Sequence, residues 1–261
     1  MTEVKLPLVT VVMPCYNHMH YVKRAVLSVL EQTYSLIELV VIDDGSNDDS
    51  VAVLKDLQTR YEFTLICQEN KGVCKALNRA IQEAAQGEYI ALLASDDLWN
   101  QDKIQLQMME LQRQPESEFC FSQATEFTEE SNPKAGRIFP KKCLSGNVLK
   151  NVFLRQHVPA GTMLFSRRLY NQLNGFDESL KEEDWDFVIR SAATTTFSSV
   201  NTPLLYYRSH QGNTMKTRKR NKIFHQKAII LSKNFDLVKP LRWFIAIGIH
   251  FFYDLIYKKT F

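Results

Sequence analysis

Three short polar clusters in this 261-residue chain carry the residue types that can do chemistry: Cys15-Tyr16-Asn17, Asp43-Asp44-Gly45-Ser46 and Ser95-Asp96-Asp97. Each directly follows an apolar run of strand length. Adjacent carboxylates repel, so a pair such as Asp96 and Asp97 at a strand end has either a chemical reason or a solvent-facing one. Hard oxygen ligands at such a place suit Mg²⁺ or Mn²⁺ holding a phosphate. The plainer reading is an N-cap and first turn for the segment that follows. Tyr16 can stack on a base, and an aspartate of the second cluster can accept a hydrogen bond from it. Together the clusters describe a nucleotide site without a phosphate-binding glycine loop. No GxGxxG follows the first strand and no GxxxxGK[ST] occurs. A fourth cluster, Glu183-Asp184, is either a proton acceptor or an acidic helix start favoured by the helix dipole.

These residues need a scaffold that brings strand ends together. Stretches 9–13, 39–42, 63–67 and the run from Tyr89 are short and mainly apolar, without apolar/polar alternation. Segments from His20, over 50–57, over 73–84 and over 104–111 place apolar residues on one helical face. Continuous rather than alternating strands are covered on both faces, the pattern of an α/β fold with a parallel sheet. Its strands end along one edge, where ligands bind. After Pro115 the pattern changes. Residues 119–121, 160–165, 197–200 and 204–207 read as short strands, the last two split by Pro203. Residues 125–142 read as polar turns and 182–192 as a helix. This half is expected to pack on the same sheet.

At 45% hydrophobic and 23% charged, the composition is that of a globular chain rather than a disordered one. A net charge of +3 is too small to imply nucleic-acid binding, although Lys216, Arg218, Lys219, Arg220 and Lys222 crowd one stretch. Five cysteines without a CxxC pair suit reduced thiols in a cytosolic protein. The first residues lack the charged start and long apolar core of a signal peptide, and no uninterrupted apolar 18-mer occurs. Residues 240–261 carry aromatics throughout and cations at both ends, which suits a helix lying at a membrane interface. A helix packed on the catalytic domain or on another subunit of a homo-oligomer has the same pattern.

Four segments, VTVVMPCYNH at 9–18, LVVIDDGSNDDS at 39–50, the run from Glu69 through ASDDLW at 94–99, and KEEDWDFVIR at 181–190, resemble the inverting family 2 glycosyltransferases. The ordered set reaches to about His210. The resemblance implies a GT-A fold, Rossmann-like, with a mostly parallel sheet, helices on both faces and a C-terminal helical extension. It divides the chain into a catalytic domain over 1–212, with a nucleotide-sugar half to about 115 and an acceptor half after it, and an extension over 213–261. It implies a UDP-sugar donor, Mn²⁺ or Mg²⁺, and direct displacement at the anomeric carbon.

On that resemblance, Pro14, Tyr16, Asn17 and Asp44 match nucleoside-contacting positions, and Lys75 and Asn78 the region closing over the nucleotide. Asp96 and Asp97 match the metal motif, with Ala94 where many relatives carry a further aspartate. Asp184 matches the general base, with Glu183 as orienter. Gly161, Thr162 and Trp185 match acceptor positions, Trp185 equally a core anchor. Tyr207-Arg208-Ser209-His210 resembles the family's YRxH segment, in which Arg208 meets the leaving phosphates or forms a structural ion pair and His210 meets the diphosphate or the cation. His18, His20, His157, His225 and His250 show no ligand spacing and are read as structural. The implied activity is hexosyl or N-acetylhexosaminyl transfer to a lipid-linked saccharide at the inner face of the cytoplasmic membrane. It would serve O-antigen, capsule or lipopolysaccharide synthesis. A nucleotidyltransferase and a non-catalytic glycan or nucleotide-sugar binding protein are the alternatives. The first lacks a basic glycine-rich loop after Met13, and the intact Asp96, Asp97 and Asp184 count against the second.

Overall fold

The computed structural model describes residues 6–128, 132, 136–180, 184–213 and 218–256. Among these, nine strands form one sheet. The first half is a parallel unit built from β1 (Val9–Cys15), β2 (Ile37–Asp44), β3 (Thr64–Gln68) and β4 (Tyr89–Leu92). β1 pairs in parallel with both β2 and β4, and β2 pairs in parallel with β3. The connecting helices are α1 (Val22–Leu30), α2 (Ser50–Gln58) and α3 (Val73–Glu83).

β1 shows why its residues, Thr10 apart, carry no polar side chain. Val12 faces one core, while Val11 and Met13 face a second core on the other side of the sheet. Burial on both faces leaves no position for a solvent-facing polar residue. In α1 the spacing of Val22, Ala25, Val26 and Val29 forms one buried stripe. With α2 and with α4 (Lys103–Arg113), it covers one face of the sheet. The opposite core receives α3, α5 (Leu149–Leu154), α6 (Arg167–Gln172) and α7 (Asp184–Thr194).

The second half extends the same sheet but mixes strand directions. It contains β5 (Leu98–Trp99), β6 (Ser117–Phe127), β7 (Arg137–Phe139), β8 (Leu164–Ser166) and β9 (Thr196–Arg208). The strand order is β3-β2-β1-β4-β8-β6-β9-β5, with β7 also on β6. β8 runs antiparallel to β4 and β6, β7 antiparallel to β6 and β5 antiparallel to β9, whereas β6 and β9 pair in parallel along most of their length, so the sheet is mixed but mostly parallel. Two expected strands, over 197–200 and 204–207, are one. Pro203 cannot donate to a ladder, and β9 carries it across register shifts opposite Ser122, Gln123 and Ala124. The expected strand at 160–165 is a 3₁₀ turn (Ala160–Thr162) followed by β8.

The C-terminal helices α8 (Arg220–Lys233) and α9 (Pro240–Phe251) dock on the second half. Ile230, Leu231 and Ala246 enter the same core as α5 and α7. Asn234 Nδ2 donates to Asp186 Oδ1 at 2.8 Å, and Arg242 Nη1 donates to the Lys150 carbonyl at 2.8 Å. A π-helical turn (Phe252–Ile256) continues α9.

Candidate functional site

Parallel pairing sets the ends of β1, β2 and β4 on one edge: Cys15 lies opposite Asp43, and Leu93 N donates to the Val12 carbonyl at 3.2 Å. An open cavity of about 630 Å³ lies there, lined by Tyr16, Gly45, Ser46, Asn47, Gln68 and Asn70 among others. Tyr16 is 44% exposed, with its ring available to a flat ligand. Asn17 adopts a left-handed backbone (φ 55°), which asparagine tolerates, and its side chain accepts from Asn47 N at 2.7 Å. Asn17 N donates in turn to Ser46 Oγ at 2.8 Å. Gly45 is required where it stands: its φ is 77°, and a Cβ there would lie 2.6 Å from Asn70 N.

Asp44 is buried and accepts from Gln68 Nε2 (2.7 Å), Lys71 N (2.8 Å) and Gly72 N (2.9 Å). Its carboxylate therefore fastens the loop that walls the cavity, with about one acceptor position left of the four a carboxylate offers. Pro14 is half-buried within β1, and Lys75 is exposed on the first turn of α3. Asn78 does not reach the cavity. It is buried, donating to Phe176 O and Glu178 Oε1 and accepting from Tyr170 Oη and Phe176 N. With its hydrogen-bonding capacity used, Asn78 fastens α3 to the turn after α6 rather than closing over a nucleotide.

The two adjacent carboxylates play different parts. Asp97 is buried and its Oδ1 accepts from Arg208 N at 2.8 Å. Burial first, and then the Asp96 charge, push its carboxyl well above the usual carboxylate range. Asp97 thus braces β9 and does not join the ligand cluster. Asp96 turns outward, its Oδ2 3.0 Å from His210 Nε2 and 3.8 Å from His18 Nε2. His18, Asp96 and His210 offer one ligand atom each, all within 4.8 Å of one another. This nitrogen and oxygen donor set fits a divalent cation. His18, read from sequence as structural, belongs to the cluster instead; its position two residues after Tyr16 at a strand end was the available signal. Burial, against the pull of Asp96, holds its imidazole below the usual histidine range.

Arg208 is buried, not at the surface of the cavity. Its Nε donates to the Asp96 carbonyl at 2.8 Å, and its guanidinium lies over Phe127 (4.7 Å) and Tyr21 (5.0 Å). Its place is behind the carboxylates, where it fixes the 94–97 turn.

Asp184 opens α7, half-buried. Gln156 Nε2 donates to Oδ2 at 3.1 Å and Trp185 N to Oδ1 at 2.7 Å. Burial raises the carboxyl above its ordinary range, against the opposing hydrogen bonds. Gln156 carried no sequence signal. Glu183 lies outside the described residues. Trp185 is a core anchor: buried, with Nε1 donating to Val152 O at 2.6 Å and its ring 5.0 Å from that of His250. Gly161 and Thr162 are also interior. The Gly161 carbonyl accepts from Trp99 Nε1 at 2.8 Å and the Thr162 carbonyl from Gln107 Nε2 at 2.8 Å. None of the three presents a side chain to an acceptor sugar, because each is committed to packing.

A strand-end cavity thus lies beside a histidine and carboxylate cluster on one edge of an α/β sheet. Residues 10–173 match the family described as "Glycosyl transferase family 2", and the chain belongs to that family. It is 28% identical over 227 residues to chondroitin synthase of Escherichia coli, covering 82% of this chain and 31% of that enzyme. The chain therefore spans about a third of that relative's length. The fold is GT-A-like. The structure of S. aureus TarS 1–349 in complex with UDP-GlcNAc superposes with a TM-score of 0.74 at 18% identity, covering 94% of this chain and 73% of that one. The mannosyltransferase PcManGT from Pyrobaculum calidifontis, in complex with GDP-Man and Mn²⁺, gives 0.66 at 19% identity, covering 95% and 70%.

Proposed function

We propose that this chain transfers a hexosyl or N-acetylhexosaminyl group from a UDP-sugar to a hydroxyl of a lipid-linked oligosaccharide, with inversion at the anomeric carbon. The product would serve a bacterial surface polysaccharide such as O-antigen, capsule or lipooligosaccharide. The observation that carries the reading is the adjacency, through residues 16–18, of a cavity with an exposed aromatic ring and a cation cluster. That is the pairing a nucleoside diphosphate needs: a face for the base and positive charge for the phosphates. The E. coli relative and the UDP-GlcNAc complex of TarS support a UDP-sugar and a polysaccharide product.

Tyr16 stacks on the base and the loops tied by Asn17 and Asp44 wall it in. Asp96 and His210 would hold Mn²⁺ or Mg²⁺, which when bound neutralises the charge developing on the departing diphosphate. Asp184 takes the proton of the attacking hydroxyl, oriented by Gln156 and the Trp185 N–H. Burial increases its affinity for that proton. Single displacement requires no nucleophilic side chain on the protein.

We also propose peripheral attachment to the cytoplasmic face of the membrane through α9. Among the described residues no helix is long and apolar enough to cross a membrane. The helix is polarised in reverse. With the π-helical turn that continues it, it turns Ala246, His250 and Asp254 toward the protein, where His250 Nε2 meets Leu154 O (3.1 Å) and Asp254 meets Lys227 Nζ (2.9 Å). Helix and turn together expose Leu241, Phe244, Ile245, Phe252 and Ile256. Arg220 and Lys222 begin α8, whose Phe224 ring is 5.8 Å from that of Phe251, so cations flank the far end of the apolar stripe. Anionic headgroups complement that arrangement.

The deciding experiment measures UDP release from a panel of UDP-sugars with Mn²⁺, Mg²⁺ or EDTA, using bacterial lipid-linked glycans as acceptors. One donor is expected to respond, and Asp184→Asn is expected to keep UDP binding while losing about 10²–10⁴-fold in turnover. Near-normal turnover of that variant removes Asp184 as the base. Failure of UDP to bind the parent protein removes the donor reading.

A further inference from the structure

We infer that His18 is a protein ligand of the cation site and makes that site one for a transition-metal dication in preference to Mg²⁺. The inference rests on the donor-site reading above and adds a ligand and a metal preference to it.

The ring is fixed from two directions. Asn17, with its left-handed backbone, turns the chain at the end of β1, and His18 N then donates to Ser50 Oγ at 2.9 Å. His18 Nδ1 lies 2.7 Å from the hydroxyl of Ser95, which is fully buried. A hydroxyl both donates and accepts, so the ring can carry its proton on Nδ1 and present the Nε2 lone pair outward. An imidazole anchored through one nitrogen with the other free to bind is the arrangement metal-bound histidines require. Nε2 then points into the gap before Asp96 Oδ2, 3.8 Å away. That separation is too long for a hydrogen bond. It matches two donor atoms that share one ion, since ligands each about 2.1 Å from a metal stand roughly 3–4 Å apart.

His210 is arranged differently. Its Nδ1 accepts from Gly212 N at 3.1 Å, which leaves the ring proton on Nε2, directed at Asp96 Oδ2 at 3.0 Å. Ligation through that nitrogen must displace the proton, so His18 is the imidazole set in advance to ligate. A histidine with a purely structural part turns its nitrogens to protein acceptors, as His250 does with Leu154 O at 3.1 Å. Among the described residues no acceptor meets His18 Nε2 within hydrogen-bond distance. Two imidazoles and one carboxylate give a nitrogen-rich set, whereas Mg²⁺ takes oxygen ligands and keeps its waters.

The test uses Mn²⁺ and Mg²⁺ alone, without donor, on the full chain. Calorimetry should give at least tenfold tighter binding for Mn²⁺ than for Mg²⁺. Pulsed EPR of bound Mn²⁺ should show ¹⁴N coupling from two imidazoles. His18→Ala should reduce the coupling to one imidazole and weaken Mn²⁺ at least tenfold, with Mg²⁺ changed less than threefold. Ser95→Ala, which keeps the imidazole but removes its anchor, should weaken Mn²⁺ about three- to tenfold, and it decides the matter if His18→Ala fails to fold. Unchanged ¹⁴N coupling and Mn²⁺ affinity in the variants, or equal affinities of the parent for the two metals, overturn the assignment. UDP binding in EDTA, measured in parallel, separates the two readings: its retention alongside an unchanged Mn²⁺ signal overturns His18 alone, and its absence from the parent overturns the donor site.

Discussion

Leu241 and Phe244 are 72% and 65% exposed on the outer face of α9, and the membrane proposal stands on them. Full burial of a leucine or phenylalanine side chain releases about 1.5–3 kcal/mol, so transfer of their exposed surface into an interface is worth roughly 1–2 kcal/mol each. The double variant Leu241→Gln/Phe244→Gln should then weaken partitioning by about 2–4 kcal/mol, or roughly 30- to 900-fold. Fold stability should change little, because both side chains are mostly exposed, Phe244 meeting the ring of its neighbour Trp243 edge-on at 5.1 Å, and surface substitutions fall within about 0.5 kcal/mol. The assay is co-sedimentation with vesicles of phosphatidylcholine and phosphatidylglycerol, with thermal melting as the control. Added salt should loosen the parent protein by screening the basic start of α8. Partitioning of the variant within threefold of the parent refutes the reasoning. So does a parent that is dimeric in ultracentrifugation and becomes monomeric in the variant, which assigns the apolar face to a second copy.

Two further outcomes follow from buried charges. Burial raises the Asp184 carboxyl, and the base works only when deprotonated, so kcat/KM should fall as pH drops, along a limb lying above the ordinary carboxylate range. A limb at ordinary carboxylate pH, measured with saturating metal, contradicts this. Lys103 is fully buried, donating to Gln107 Oε1 at 2.6 Å with its ammonium 4.1 Å from the Trp99 ring centre, and burial lowers its pKa to about 7. Between that value and the ordinary 10.5 the unfolded chain holds the extra proton, so the stability contributed by this group rises with pH through that window and its penalty is full below it. Lys103→Met should exceed the parent by about 2–4 kcal/mol at pH 6, after subtracting about 1 kcal/mol for the lost hydrogen bond, with the gap closing toward pH 10. Urea melts that show a pH-independent gap refute it.

The first four strands and three helices were legible because the strands are short, mainly apolar runs and each helix carries one apolar stripe. The interior segments were less so. β6 and β9 extend to 11 and 13 residues through buried polar positions such as Ser122, Gln123, Ser198 and Ser199, which the pairing sets opposite Val200, Pro203, Cys120 and Phe121. A polar residue buried by a neighbouring strand looks, in sequence, like a turn. The same ambiguity hid Trp185, Gly161 and Thr162, whose local sequence suits an acceptor floor as well as a core.

Sequence by itself determined the strand-end placement of Tyr16, Asp44 and Asp96, since hydrophobic periodicity fixes where a buried strand stops and the next polar residue emerges. It also marked Asp184 as an acidic helix start. It left Asp96 and Asp97 equivalent, since adjacent residues share every local property. Tertiary structure separated them: β9 covers Asp97 and takes its carboxylate for the Arg208 N–H, while Asp96 is left facing His210 and His18. The latter two come from opposite ends of the catalytic fold, 192 positions apart along the chain. No local pattern records such a meeting, because it exists only once β1, the turn after β4 and the end of β9 share one sheet.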